Sequence, residues 1–162
     1  MLRPTGKTCS MVVDTPLGLL RLTATERGLA SAAFVLDTWT EPVSKDPILT
    51  QASRWVQSHF AGTAPPLEID FDEQGTVFQR EVWSALRTIP YGQCVSYSEV
   101  AKKIGRPKSV RAVANAIGRN PCLIFTPCHR VIRSDGSIGG FSAGIELKHE
   151  LLELEAGGDT NG

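Results

Sequence analysis

The spacing of apolar residues changes along this chain of 162 residues, from short strand-like runs near its start to helical stripes further on. Between Cys9 and Val35 the apolar residues fall in three short runs, Cys9 to Val13, Leu19 to Ala24 and Leu29 to Val35. Thr15-Pro16-Leu17-Gly18 and Arg27-Gly28 separate them. Short runs bounded by proline and glycine read as strands joined by tight turns, so an antiparallel meander is expected. From Pro47 the spacing becomes three and four, with Ile48, Leu49, Ala52, Trp55, Val56 and Phe60 on one helical stripe that Gly62 and Pro65-Pro66 end. The expected class is α/β of the α+β type: a small N-terminal antiparallel-sheet subdomain with a helix, followed by a mainly helical C-terminal domain. The expected boundaries are residues 1–70, a linker at 71–75, the second domain at 76–157 and a flexible tail at 158–162.

Within the second domain, Val77, Phe78, Val82, Trp83, Leu86 and Ile89 predict a helix over 76–89, stopped by Pro90-Tyr91-Gly92. Ser96-Tyr97-Ser98-Glu99 has the spacing of a capping box and predicts a helix from Tyr97 to about Ile104. Gly105-Arg106-Pro107 then closes one helix and admits another over Ser109 to Ile117, a pair that resembles a helix-turn-helix. Cys122-Leu123-Ile124-Phe125 is too short for a typical helix and reads as a buried extended segment leading to Pro127-Cys128-His129. Ile145, Leu147, Leu151, Leu152 and Leu154 mark a last helix, ending at Gly157-Gly158.

Seventeen Lys and Arg balance seventeen Asp and Glu, so no global basic field announces nucleic acid. The charges are segregated instead. Arg87, Lys102, Lys103, Arg106, Lys108, Arg111, Arg119 and Arg130 crowd the stretch from Arg80 to Arg133, opposed there only by Glu81 and Glu99, while acids collect at 68–73 and 146–159. The opening residues Met1 to Gly6 lack the apolar core of a signal peptide, and no stretch approaches membrane-spanning length, so a cytoplasmic location and no membrane partner are expected. Cys9, Cys94, Cys122 and Cys128 form no C-x-x-C pair, and His59, His129 and His149 do not fall at zinc-finger spacing, so free thiols are expected.

Among these thiols Cys128 is singled out by its neighbours. It follows a proline and precedes His129 and Arg130, and a nearby base or positive charge favours the nucleophilic thiolate. A Cys-His pair alone is commonly a buried cysteine beside a surface histidine. The longer string is more specific. Asn120-Pro121, an apolar run and Pro127-Cys128-His129-Arg130-Val131-Ile132 resemble the active-site signature of the O6-alkylguanine-DNA alkyltransferases, the methylated-DNA-protein-cysteine methyltransferases. The resemblance extends through Phe78 to Trp83, Ile89-Pro90-Tyr91-Gly92, Ser96-Tyr97 and Gly139 to Glu155, and covers the first 70 residues more loosely.

The resemblance implies a mechanism. Cys128 takes the alkyl group by direct displacement, His129 removes the thiol proton through a water, Glu155 orients the imidazole, Asn120 fixes the local turn and Tyr97 donates a proton toward N3 of guanine. It further implies double-stranded DNA carrying O6-alkylguanine as partner, bound through the minor groove by a monomer, with O4-alkylthymine left open as a second substrate. Arg111 would enter the base stack, small Ala112 and Ala114 would let the helix lie close to DNA, and Arg106, Ser109 and Ser134 would contact the backbone. The Val131 carbonyl and Ser142 would read the flipped base, and Ala143 would bound its pocket. No cofactor is implied, and no metal either, since Gly6 and Thr25 stand where some members carry zinc-binding cysteines. Thr126 departs from the family's usual aliphatic residue. The rival readings are a non-catalytic sensor of alkylated DNA, opposed by the presence of Cys128, and a thiol hydrolase, which leaves Arg111 and Tyr97 without a role.

Overall fold

The structure is a computed structural model, and it describes residues 8–36, 45–63 and 65–160, the last three of these in backbone only. It divides into two compact units. One comprises residues 1–74 with 121–125, and the other residues 75–120 with 126–162.

The first unit is the expected meander. Strands β1 (Thr8–Thr15), β2 (Gly18–Thr25) and β3 (Leu29–Val35) pair antiparallel in the order β1-β2-β3. Thr15 pairs with Gly18 across a two-residue turn, where Gly18 takes a φ of 131° that suits glycine. Along β2 the residues Leu20, Leu22 and Ala24 are buried at a period of two, the signature of a sheet with one covered face. Helix α1 (Pro47–Phe60) packs on all three strands and buries Leu49, Ala52, Val56 and His59. Its start is fixed by Pro47 in the first turn and by the Asp46 carboxylate, which accepts from the amides of Ile48 and Leu49.

The outer edge of β3 is covered by two later segments. Leu29 exchanges backbone hydrogen bonds with Asp70 and Asp72 (2.8 Å each), and Ala32 with Pro121 and Leu123 (2.8 and 3.0 Å). The segment read as a linker at 71–75 therefore begins as part of the sheet edge, held also by Thr25 Oγ1 donating to Asp72 (2.5 Å). The run 122–125 is buried as expected, but it is extended only at Cys122, which bridges to Ala32. The chain turns immediately afterwards, and Ile124 has a φ of 75°, uncommon for a β-branched residue.

In the second unit, α2 (Val77–Leu86), β4 (Val95–Ser96), α3 (Tyr97–Lys103), α4 (Val110–Gly118), a 3₁₀ turn (Cys128–Arg130), β5 (Val131–Ile132) and α5 (Ile145–Thr160) follow in order. Capping boxes begin α2 (Thr76 with Gln79) and α3 (Ser96 with Glu99). Helix α3 ends where expected: Gly105 has a φ of 77°, its amide donates to Lys102, and the Arg106 amide reaches Ala101 (2.9 Å), closing the last turn and redirecting the chain into α4. Trp83 on α2 donates its indole N–H to Ala116 O of α4 (2.8 Å). The short β4 and β5 pair in parallel, Val95 with Val131.

Helix α5 passes the expected stop at Gly157-Gly158 and runs to Thr160, because Gly157 does not take the left-handed φ that ends a helix; residues 161–162 of the expected tail lie outside the described residues. No helix among the described residues is long and apolar enough to cross a membrane.

A Cβ on Gly28 would lie 2.5 Å from Asp70 O and 2.9 Å from the Phe71 carbonyl carbon. Because the obstruction is backbone, Gly28→Ala should destabilise the protein by about 2–3 kcal/mol, read as a lower urea midpoint. An unchanged midpoint would show that the edge segment is not held there.

Candidate active site

The path into the site starts at Asn120, whose side-chain amide donates to Thr126 O (2.7 Å) and so draws together the two ends of the loop before Cys128. Thr126 is fully buried, and its hydroxyl accepts from Arg87 Nη1 (2.7 Å), which accounts for a polar residue at that position. After Pro127 the chain tightens into the 3₁₀ turn, with Cys128 N donating to Thr126 O (2.8 Å) and Arg130 N to Pro127 O (3.0 Å).

This turn directs consecutive side chains to different tasks. Cys128 is 4% exposed and reaches a cavity of about 200 Å³ lined also by Tyr97, Ala114, Ile117, Gly118, Gly140, Phe141 and Ser142. Burial pushes the Cys128 thiol up to about 11, against the lowering effects of a hydrogen bond with Asn120 and of the Lys148 charge. Burial, and then the nearby Cys128 charge, also raise the Tyr97 phenol, so its hydroxyl stays protonated and able to donate. Gly139 leaves room for that ring, since a Cβ there would come within 2.9 Å of the Tyr97 hydroxyl.

His129 turns inward and is fully buried, with Nε2 2.7 Å from Glu155 Oε2. Donation from Nε2 to the carboxylate sets the tautomer in which Nδ1 is the basic atom. The same carboxylate accepts from Arg130 Nε (2.7 Å) and Nη2 (3.0 Å), and Arg130 Nη1 donates to Ile89 O (2.7 Å). Arg130 is thus an ion-pair partner of Glu155.

Of the remaining candidates, Ala114 and Ser142 line the same cavity as the thiol. On α4, Arg111 and Ala112 are exposed and Ala114 is half-buried at the cavity wall. Ser109 precedes α4 without capping it through its side chain; Arg106 sits 5.4 Å from the centre of the Phe78 ring, and Ser134 Oγ is 3.3 Å from Ser98 Oγ. Ser142 is exposed at the cavity, whereas half-buried Ala143 is not among its lining residues. Val131 is fully buried, and its carbonyl accepts from Lys148 Nζ (2.6 Å).

Lys148 was not singled out by sequence reasoning. Apolar spacing alone marked the face of α5, but the fully covered positions are Lys148, Leu151 and Glu155, at i, i+3 and i+7. The signal available in the sequence was that spacing, with one residue of each charge flanking a leucine.

The family model "6-O-methylguanine DNA methyltransferase, DNA binding domain" matches residues 77–157. A methylated-DNA--protein-cysteine methyltransferase of Methanosarcina acetivorans is 39% identical over 152 residues, covering 89% of this chain and 96% of that protein. The crystal structure of Mycobacterium tuberculosis O6-methylguanine methyltransferase is 38% identical and superposes with a TM-score of 0.80 over 93% of this chain and 94% of its own. The structure of Mycobacterium tuberculosis OGT in complex with DNA gives 0.81 at 39% identity, over 92% and 93%.

Two measurements probe the site directly. Glu155→Gln removes the charge that compensates buried Arg130 and should cost about 3–5 kcal/mol of stability, read by thermal or urea unfolding. An unchanged midpoint would mean that the carboxylate is not ionised. In the DNA-free protein, Cys128 should react with iodoacetamide far more slowly than exposed Cys94. A thiol at about 11 leaves on the order of one thiolate in a thousand at pH 8, so the rate should climb about tenfold per pH unit toward pH 10. A plateau reached below pH 8 would show a thiol already ionised at rest.

Proposed function

We infer the activity from the premise that the chain belongs to the 6-O-methylguanine DNA methyltransferase family: it binds DNA and transfers the alkyl group of O6-alkylguanine to Cys128. One observation carries this reading. The Cys128 thiol and the Tyr97 phenol face one small cavity, while His129 and Glu155 form a buried pair on the protein side of the same turn.

Cys128 Sγ attacks the alkyl carbon in line with the bond to O6. The S–C bond forms as the C–O6 bond breaks, and the electron pair passes into the guanine ring. The thiol proton moves through a water to His129, which Glu155 holds in the required tautomer, and Tyr97 offers its proton at N3 to the departing base. A proton relay is called for because burial keeps the resting thiol protonated. The products are guanine and a thioether. None of these groups cleaves a thioether, so each molecule acts once.

The reacting atom lies inside a duplex, so the nucleotide must be extruded, at a cost of roughly a few kcal/mol. Helix α4 enters the minor groove of the duplex as part of a monomer. Arg111 replaces the extruded base in the stack, and Ala112 and Ala114 permit the close approach. Arg106, Ser109 and Ser134 hold the backbone. Exposure of Arg111 and Ala112 on one helix, and the position of Ala114 on the cavity wall, support this assignment. The base is read by the Val131 carbonyl and Ser142, with Ala143 bounding the pocket.

Mixing the protein with a duplex bearing one O6-methylguanine should add a single methyl group, mapped by peptide mass spectrometry to Cys128, with lesion loss equal to the protein consumed. Cys128→Ser should bind the duplex and transfer nothing, and Tyr97→Phe should slow transfer by about a hundredfold. Tight lesion binding by unmodified wild-type protein would replace this reading with that of a non-catalytic damage sensor.

A further inference from the structure

Helix α4 buries Val113, Ala116 and Ile117, whereas Arg111, Ala112, Asn115 and Gly118 are exposed. At about 100° per residue, Asn115 stands roughly 40° from Arg111 and roughly 60° from Ala112 around the helix axis, almost opposite the buried face. It therefore occupies the middle of the face that carries Arg111 and Ala112.

Its neighbours on that face are small. Ala112 lies three residues before it and Gly118 three residues after. Gly118 has no left-handed φ, and a Cβ there would meet nothing within 4 Å among the described residues, so neither backbone nor internal packing calls for glycine. Asparagine, for its part, is a weaker helix former than alanine. Helix stability explains neither residue, and what they face outside the protein explains both: a surface that approaches closely and projects one amide.

That amide carries a donor and an acceptor side by side. In the minor groove every base pair offers acceptors, but only a G·C pair adds a donor, the guanine N2 amine. Asparagine can therefore hold guanine by two bonds, Nδ2–H donating to N3 while Oδ1 accepts from N2–H. Adenine offers N3 alone. One helical turn, about 5.4 Å, separates Asn115 from Arg111, against about 3.4 Å per base pair, so the pair within reach is the first or second beside the lesion.

We propose that Asn115 is a specificity-determining residue: from α4 it reads guanine one or two base pairs from the lesion, so that O6-alkylguanine is repaired faster in a G·C-flanked sequence. The inference deepens the functional reading above and rests on it, with α4 in the minor groove, Arg111 at the extruded base and Cys128 as the alkyl acceptor.

The test is single-turnover methyl transfer by the full-length protein at subsaturating DNA. Each duplex carries one O6-methylguanine, and each of the two pairs on either side of it is made G·C, inosine·C or A·T in turn. Wild type should react about fivefold or more faster when guanine stands at the position Asn115 reaches, as a bidentate base contact provides. Inosine lacks only the N2 amine and should react at the A·T rate. Asn115→Ala should treat the three duplexes alike within about twofold and unfold no earlier than wild type. Equal wild-type rates on all duplexes would overturn the inference, as would a preference that survives in Asn115→Ala or persists with inosine. Failure of the wild-type protein to methylate Cys128 on any duplex would instead refute the functional reading on which the inference depends.

Discussion

The carboxylate of Glu155 organises the polar interior around the nucleophile. It accepts from His129 and twice from Arg130, while Arg130 reaches on to Ile89 O. One side chain on α5 thereby fixes the 3₁₀ turn, and Arg130 ties that turn to the segment shortly after α2. Arg130 supplies the charge that offsets the carboxylate, so Glu155 can orient the imidazole without requiring it to be protonated. Orientation and charge balance thus fall to different residues.

This division suits the state of the thiol. Many reactive cysteines are held ionised by a neighbouring cation or a helix N-terminus. Here burial dominates and pushes Cys128 up, with Asn120 and Lys148 opposing it only partly. A protonated, enclosed thiol is a poor target for stray electrophiles, which matters for a protein whose nucleophile is consumed by use. Tyr97 lines the same cavity, and burial likewise holds its phenol protonated.

Much of this was legible in the sequence because short-range chemistry specifies it. Short apolar runs between turn signals marked the three strands, Pro47 and the apolar stripe marked α1, and the Ser96-Glu99 box with Gly105 marked both ends of α3. The string around Cys128 pointed to the chemistry before any geometry was known. What escaped was set by long-range partners. Residues 71 and 72 were read as linker because nothing local shows that the chain there meets Leu29, and 122–125 were read as extended although the chain turns at Ile124. On α5, apolar spacing alone marked the covered face and Glu155 was picked out only through the resemblance, whereas Lys148 is covered as well because the Val131 and Gly140 carbonyls receive it.

The covering of β3 bears on how the polypeptide reaches this state. Ala32 finds its partners, Pro121 and Leu123, roughly ninety residues further along, after most of the second unit has been made. During synthesis the meander and α1 can assemble early, but the part of the β3 edge at Ala32 stays open until the ribosome has delivered the segment just before the nucleophile. An open edge invites pairing with other chains, so the nascent protein passes through an aggregation-prone interval whose length is set by translation speed. The first unit is completed by the same stretch of chain that leads to Cys128, which makes maturation of the sheet and delivery of the reactive thiol nearly simultaneous events.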